Sequence, residues 1–172
     1  VTIPERAGSF LEFLRVLKGR AVTEFNYRVD GSEDARIFVG VQLVRGHAER
    51  TEIAEAISAA GYPVIHLSDD DTAKTHVRYM IGGHPPALPE QVYSFEFPEH
   101  PGALTRFLTQ LGTRWNITMF HYRSHGADYG RVLVGMQVPP GDKAEFRRFL
   151  DRLGYDYVDE TRNPAYRMFL GR

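Results

Sequence analysis

Phe25-Asn26-Tyr27-Arg28 returns as Phe120-His121-Tyr122-Arg123, and what surrounds the two tetrapeptides repeats with them. Upstream, Ile3-Pro4-Glu5-Arg6-Ala7-Gly8-Ser9-Phe10 matches Phe97-Pro98-Glu99-His100-Pro101-Gly102-Ala103-Leu104 at a spacing of 94 (97 − 3). Downstream, Val39-Gly40-Val41-Gln42 matches Val134-Gly135-Met136-Gln137 at a spacing of 95 (134 − 39). Gly61-Tyr62 recurs as Gly154-Tyr155, and Arg78-Tyr79-Met80-Ile81-Gly82 as Arg167-Met168-Phe169-Leu170-Gly171. Matches in one order at a nearly constant offset define a tandem duplication of one unit of about ninety residues.

Each copy reads as the same string of elements. In the first, Val1-Thr2-Ile3 is a short strand stopped by Pro4, which has no N–H for a ladder. Phe10, Leu11, Phe13, Leu14 and Leu17 fall at helical spacing, on a helix that ends near Gly19. Ala21 to Arg28 is a strand, Asp30-Gly31-Ser32 a turn, and Arg36 to Val44 an apolar strand expected at the sheet's centre. Glu49 to Ala60 is a helix closed by a left-handed Gly61. Tyr62 to Leu67 is expected as a strand, Ser68-Asp69-Asp70-Asp71 as the cap of a short helix, and Val77 to Ile81 as a further strand. The second copy follows suit. Strands are expected at Gln91 to Phe97, Trp115 to Arg123 and Arg131 to Val138, with a fourth after Gly154-Tyr155. Helical faces run through Leu104, Phe107, Leu108 and Leu111, and through Phe146, Phe149, Leu150 and Leu153. A capping helix is expected at Asp159 to Asn163 and a last strand at Tyr166 to Leu170. The order β-α-β-β-α-β makes the class α+β, with two tandem ferredoxin-like sandwiches, each carrying an extra short helix and strand. The Pro/Gly-rich stretch after Gly82 divides the chain into 1–83, a linker at 84–90 and 91–172. The two sandwiches are expected to pack together through strand edges or the appended segments.

With 42% hydrophobic and 25% charged residues, the composition is that of an ordinary globular protein. A net charge of −1 with no cluster of basic residues gives phosphate-driven nucleic-acid binding little to work with. No apolar run is long enough to cross a bilayer as a helix. The chain has no cysteine, so thiolate chemistry and disulfides are excluded. It opens on a strand-like Val1 and is read as a piece of a longer protein.

The residues offer little to a catalytic reading. There is no phosphate-binding glycine loop and no serine elbow, and Lys18, Lys74 and Lys143 lie in polar, helical stretches. His121 and His125, with Asp128, would supply metal ligands, but the counterpart of His121 is Asn26, a poor zinc ligand, and no metal is expected. The loops Arg6-Ala7-Gly8-Ser9 and His100-Pro101-Gly102-Ala103 place Gly8 and Gly102 where backbone N–H groups meet a helix start, which suits a small anion such as a carboxylate and equally suits a tight turn. Tyr27 and Tyr122 are expected to face a cleft rather than a sealed core.

Tandem ferredoxin-like units with Pro-Glu-x-x-Gly loops resemble paired ACT domains, which bind free amino acids on biosynthetic enzymes. More closely, Val1-Thr2-Ile3-Pro4-Glu5, Thr23-Glu24-Phe25-Asn26-Tyr27-Arg28, Ile37-Phe38-Val39-Gly40-Val41, His76-Val77-Arg78-Tyr79-Met80, Tyr93-Ser94-Phe95-Glu96-Phe97-Pro98-Glu99 and Phe120-His121-Tyr122-Arg123-Ser124-His125-Gly126 resemble the C-terminal regulatory part of biosynthetic threonine deaminase (threonine ammonia-lyase). The resemblance implies an allosteric domain of isoleucine biosynthesis, with isoleucine as feedback inhibitor and valine as activator. It implies effector-binding roles for Tyr27, Arg28, Arg78, His121, Tyr122, Arg123, Gly8 and Gly102. It further implies an N-terminal catalytic domain on the same polypeptide that carries pyridoxal phosphate, no cofactor and no catalysis in this chain, a cytoplasmic location, and a homo-oligomer, dimeric as a fragment and tetrameric when intact. A tandem ACT module that senses another amino acid, or serves only oligomerisation, is the alternative.

Overall fold

The computed structural model describes residues 1–75, 83, 90–98, 100–124 and 129–169. The second unit is the more regular. β5 (Glu90–Pro98), α4 (Ala103–Leu111), β6 (Asn116–Arg123), β7 (Tyr129–Gln137), α5 (Lys143–Leu153) and β8 (Asp156–Asp159) form an antiparallel sheet of order β6-β7-β5-β8. That is the ferredoxin-like arrangement, in which each helix crosses over one intervening strand. The helices lie where their apolar spacing demands: Phe107, Leu108 and Leu111 of α4 and Phe146, Phe149 and Leu150 of α5 are all buried.

The first unit has the same plan with two departures. β1 (Thr2–Pro4), α1 (Ser9–Val16), β2 (Val22–Arg28), β3 (Asp34–Arg36), β4 (Phe38–Val41), α2 (His47–Ala59) and α3 (Asp71–Thr75) follow in order. The strand expected over Arg36 to Val44 is split. β3 pairs with β1 and β4 with β2, the latter through a register shift between Val22 and Glu24. Ile37, at the break, exchanges both backbone bonds with Val1. The two pieces together therefore fill the third-strand position between β2 and β1. Residues 62–67, expected as a strand, run beside β1 without a ladder: the Thr2 N–H donates to the Pro63 carbonyl at 2.9 Å, and Pro63 has no N–H to give back.

The expected cap of α3 is present, with the Ala73 N–H donating to Asp70 Oδ1 at 2.9 Å. At the end of the second unit the expectation fails. Instead of a capping helix at 159–163 and a strand at 166–170, β8 gives way to a turn and then to α6 (Pro164–Phe169). Pro164 cannot serve a ladder but suits a first helical turn, and the Arg167 N–H donates to the Asn163 carbonyl at 3.0 Å to open the helix. The strand expected at 77–81 and all but the last residue of the expected linker lie outside the described residues, and β5 begins at Glu90, inside the stretch read as linker.

The units are fused edge to edge. β2 pairs antiparallel with β6, so the sheet runs β4-β2-β6-β7-β5-β8. The register joins Glu24 to Arg123, Phe25 to Tyr122, Asn26 to His121, Tyr27 to Phe120 and Arg28 to Met119. The flanking bonds, Val29 N–H to Thr118 O and Ser124 N–H to Thr23 O, are both 2.8 Å long. Equivalent residues are 95 apart, so Val29 corresponds to Ser124 and Thr118 to Thr23. The repeated tetrapeptides thus pair with each other about a local two-fold axis through Asn26 and His121. On the helix side, Phe10 of α1 lies 5.1 Å from Phe25, 5.0 Å from Tyr27 and 6.0 Å from Phe120, so one aromatic core runs across the join. Each such aromatic pair contributes about 0.5–1.5 kcal/mol beyond its buried area, enough to make the seam an integral part of the core.

Candidate functional site

Strand alternation sorts the residues of the two tetrapeptides onto two faces of the seam. Phe25, Tyr27, Phe120 and Tyr122 point to the helices and are 0%, 2%, 0% and 5% exposed. The expectation that both tyrosines face an open cleft is therefore not met. Their neighbours' packing explains why: α1 and α4 lie side by side over the seam and close it, and Tyr122 stacks on Phe97 at 5.8 Å. Asn26, Arg28, His121 and Arg123 occupy the opposite face. Asn26 and Arg28 are buried, Arg123 is half-buried opposite Glu24, and His121 is exposed.

The polar centre on the helix side is Glu5, in the loop between β1 and α1. The Tyr27 hydroxyl donates to its Oε2, and Asn116 Nδ2, from the second unit, donates to its Oε1 at 2.9 Å. Burial, and then the Glu5 carboxylate, raise the Tyr27 pKa far above its ordinary value, so this hydroxyl remains a donor. Gly8 begins α1 with φ 91°, and a Cβ there would stand 2.7 Å from Thr113 Cγ2 of the second unit. Only glycine accepts that backbone and that approach. The Ser9 hydroxyl beside it is buried with no hydrogen-bond partner among the described residues. A crevice of about 10 Å³ lies here, lined by Gly8, Leu11, Leu111, Gly112, Trp115 and Asn116. It is the size of one water molecule. The equivalent start of α4, at Gly102 with φ 86°, has open space around it.

On the other face, a second cluster ties the units together. Arg28 Nη1 donates to Glu90 Oε1 at 2.5 Å and Nη2 to Oε2 at 3.2 Å, with side chains 3% and 7% exposed. Thr118 Oγ1 and the Tyr166 hydroxyl donate to the same carboxylate, which with burial raises the Tyr166 pKa to about 12, burial being the larger cause. A Cβ at Gly135 would lie 2.6 Å from Glu90 Oε1, so this glycine gives the carboxylate its room.

Of the residues singled out in the sequence, the structure gathers Tyr27, Arg28, His121, Tyr122 and Arg123 on two paired strands and sets Gly8 at their edge. Gly102 stands apart, and Arg78 lies outside the described residues, as do His125 and Asp128. Sequence reasoning missed Glu5, Glu90, Asn116 and Thr118. The repetition of Pro-Glu in Pro4-Glu5 and Pro98-Glu99 was the signal for Glu5; nothing local marked the others. The described residues hold no cluster suited to a metal ion, and no described helix is long and apolar enough to cross a membrane. Lys18, Lys74 and Lys143 are all exposed, which does not fit a pyridoxal phosphate imine, whose lysine must be shielded from water.

Two ferredoxin-like units joined through their second strands, with a polar junction under the first helix, define a tandem ACT-like module. Residues 1–77 and 87–170 match the family described as the C-terminal regulatory domain of threonine dehydratase, and the chain belongs to that family. It is 59% identical over 172 residues to the L-threonine dehydratase biosynthetic IlvA of Escherichia coli K12, which covers 99% of this chain and 33% of that protein. The mitochondrial threonine dehydratase of Saccharomyces cerevisiae is 43% identical over 178 residues, covering 99% of this chain and 31% of that protein. For the chloroplastic threonine dehydratase 1 of Solanum lycopersicum the values are 37% over 168 residues, 98% and 28%. The chain thus spans about a third of these relatives' length.

Proposed function

We propose that this chain is the amino-acid sensor of a biosynthetic threonine deaminase, with isoleucine as feedback inhibitor and valine as activator. In the intact enzyme a catalytic part of the same polypeptide, carrying pyridoxal phosphate, converts L-threonine to 2-oxobutanoate and ammonia. That enzyme is cytoplasmic and tetrameric, and the sensor alone is a dimer. The observation that carries the effector reading is the Glu5 junction, where both units meet a half-buried carboxylate beside a helix start. Glu5 suits a ligand's ammonium, the start of α1 with Ser9 its carboxylate, and Leu11, Leu111 and Trp115 its aliphatic chain. Tyr122 and Gly102 belong to the equivalent site of the second unit, Arg28, His121 and Arg123 tune the response from the opposite face, and Arg78 is a further effector residue.

The closed crevice is far too small for an amino acid, so binding requires the seam to open. A ligand then acts by preferring one state of the seam over the other. Isoleucine exceeds valine by one methylene, about 0.8 kcal/mol of burial. So small a difference cannot reverse an effect by exclusion alone, and opposite outcomes require opposite preferences for the two states. Trp115, the only tryptophan, lines the crevice and reports its opening. Titration with isoleucine and valine should shift its emission saturably, and threonine and phenylalanine should not. Glu5→Gln keeps the acceptor for Tyr27 but removes the charge, and should weaken isoleucine binding by about ten- to a hundredfold. Unchanged affinity in that variant removes the site; no calorimetric binding of either ligand leaves a module that senses another amino acid or serves only oligomerisation.

A further inference from the structure

On the face turned away from the helices, the cross-strand registers align residues in rows that run across β6, β7, β5 and β8. One row is Arg123, Arg131, Glu96 and Asp156, and the next, two residues along each strand, is His121, Leu133, Ser94 and Val158. Both rows are open to solvent: Arg131, Glu96, Asp156 and His121 are exposed, and so is Val158, at 59%. The row after these, Met119, Gly135 and Val92, is buried, with Met119 4% and Val92 0% exposed. There the Glu90 carboxylate lies over Gly135 on its way to Arg28. The open patch ends where the Glu90 cluster begins.

The charges of the first row are segregated. Arg123 stands directly opposite Arg131, and Glu96 directly opposite Asp156. Like charges that face each other across strands are destabilising. Of the three neighbouring pairs only the middle one is favourable, with Arg131 Nε donating to Glu96 Oε1 at 2.9 Å. From β6 to β8 the row runs plus, plus, minus, minus, and that order reversed is its own complement. The counterpart positions of the first unit are Arg28, Arg36, Thr2 and Pro63, with no carboxylate among them. The pattern therefore occurs in the second unit alone.

We propose that this face docks a second copy of the chain, sheet against sheet, and so forms the interface of the sensor dimer. A two-fold axis parallel to the strands, between β7 and β5, sets β6 against the partner's β8 and β7 against its β5. Arg123 then meets the partner's Asp156, and Arg131 the partner's Glu96, each contact occurring twice. In the next row His121 meets the partner's Val158, and Leu133 the partner's Ser94. Sheets packed face to face lie about 10 Å apart, a gap that an arginine and a carboxylate side chain span together. The apolar contact is small, so the charges choose the partner and fix its orientation. Because the patch occurs once per chain, the association closes at two copies.

The inference rests on the sensor alone being a dimer, which sedimentation equilibrium of the 172-residue chain measures first. Arg131→Glu and Glu96→Arg each set like charges against each other twice across the axis, and each should weaken the dimer by about a hundredfold or more. Both side chains are exposed, so circular dichroism should show both variants folded. An equimolar mixture of the two variants should dimerise as the parent does, because every charge across the axis is then opposed. A fault confined to each chain would not be mended by mixing. Dimers that persist in both single variants overturn the proposed face and leave the dimer reading intact; a mixture that stays monomeric overturns the face as well. A monomeric parent overturns both and leaves the face to another part of the intact enzyme. Isoleucine binding at the Glu5 junction, on the other side of the sheet, is untouched by any of these results.

Discussion

Replacing Glu90 by Gln removes one charge from a buried cluster and leaves its shape intact. Four donors converge on that carboxylate: both terminal nitrogens of Arg28, from the first unit, and the hydroxyls of Thr118 and Tyr166. An amide oxygen accepts from at most two of them well, and its NH₂ group faces the guanidinium donor to donor. Arg28, 3% exposed in its side chain, cannot turn to water. Breaking a buried ion pair from one side costs about 3–5 kcal/mol, because the other charge stays buried without compensation. For a chain of this length each kcal/mol moves Tm by about 2–4 °C, so Glu90→Gln should lower it by roughly 6–20 °C. Thermal unfolding followed by circular dichroism measures this, and urea unfolding measures the free energy directly. The paired replacement Arg28→Met with Glu90→Met should recover most of the loss, since neither charge is then stranded. A Glu90→Gln variant within about 1 kcal/mol of the parent would refute the reasoning, because that is the cost of an exposed pair.

Gly8→Ala should destabilise by about 1–2 kcal/mol for the left-handed backbone and by about 1–3 kcal/mol more for the clash with Thr113. Urea unfolding of Gly8→Ala combined with Thr113→Ala should regain only the second part. Glu49 accepts the backbone N–H groups of Arg45 and Val44 and a bond from Arg20, which together hold its pKa at about 2. A lowered folded-state pKa means that its stabilisation is complete above the ordinary carboxylate range and fades as pH falls through that range toward about 2. The stability difference between the parent and Glu49→Gln should therefore be flat at neutral pH and shrink on acidification below the unfolded carboxylate's value; a difference that grows on acidification contradicts this.

The helices were legible because Phe10, Phe13, Leu14 and Leu17, and Phe146, Phe149, Leu150 and Leu153, repeat at intervals only a helix can bury on one side. The repeated tetrapeptides disclosed the duplication, and Gly61 marked a helix end correctly, with φ 88°. The broken third strand was not legible, since Ile37 differs in nothing local from its neighbours and the break depends on which partner each half meets. Residues 62–67 have the composition of a strand but, with Pro63, not the donors. At the end of the chain, Arg167-Met168-Phe169 copies Arg78-Tyr79-Met80, and that likeness outweighed Pro164, the better physical signal. The candidate site was half legible: its tyrosines stood out, whereas their burial and the role of Glu5 depend on β6 of the other unit, 111 residues away at Asn116.

The axis through Asn26 and His121 makes the chain a homodimer whose two subunits have become one polypeptide. In a true dimer every contact across that axis occurs twice, so position 24 must suit position 123 just as position 119 suits position 28. Covalent fusion removes that obligation. Here Glu24 faces Arg123 at one end of the seam, while at the other end Met119 leaves Arg28 to find Glu90. One end can therefore change its affinity or its rigidity by mutation without the same change appearing at the other. A symmetric pair can only strengthen or weaken as a whole; a fused pair can give its two halves different work.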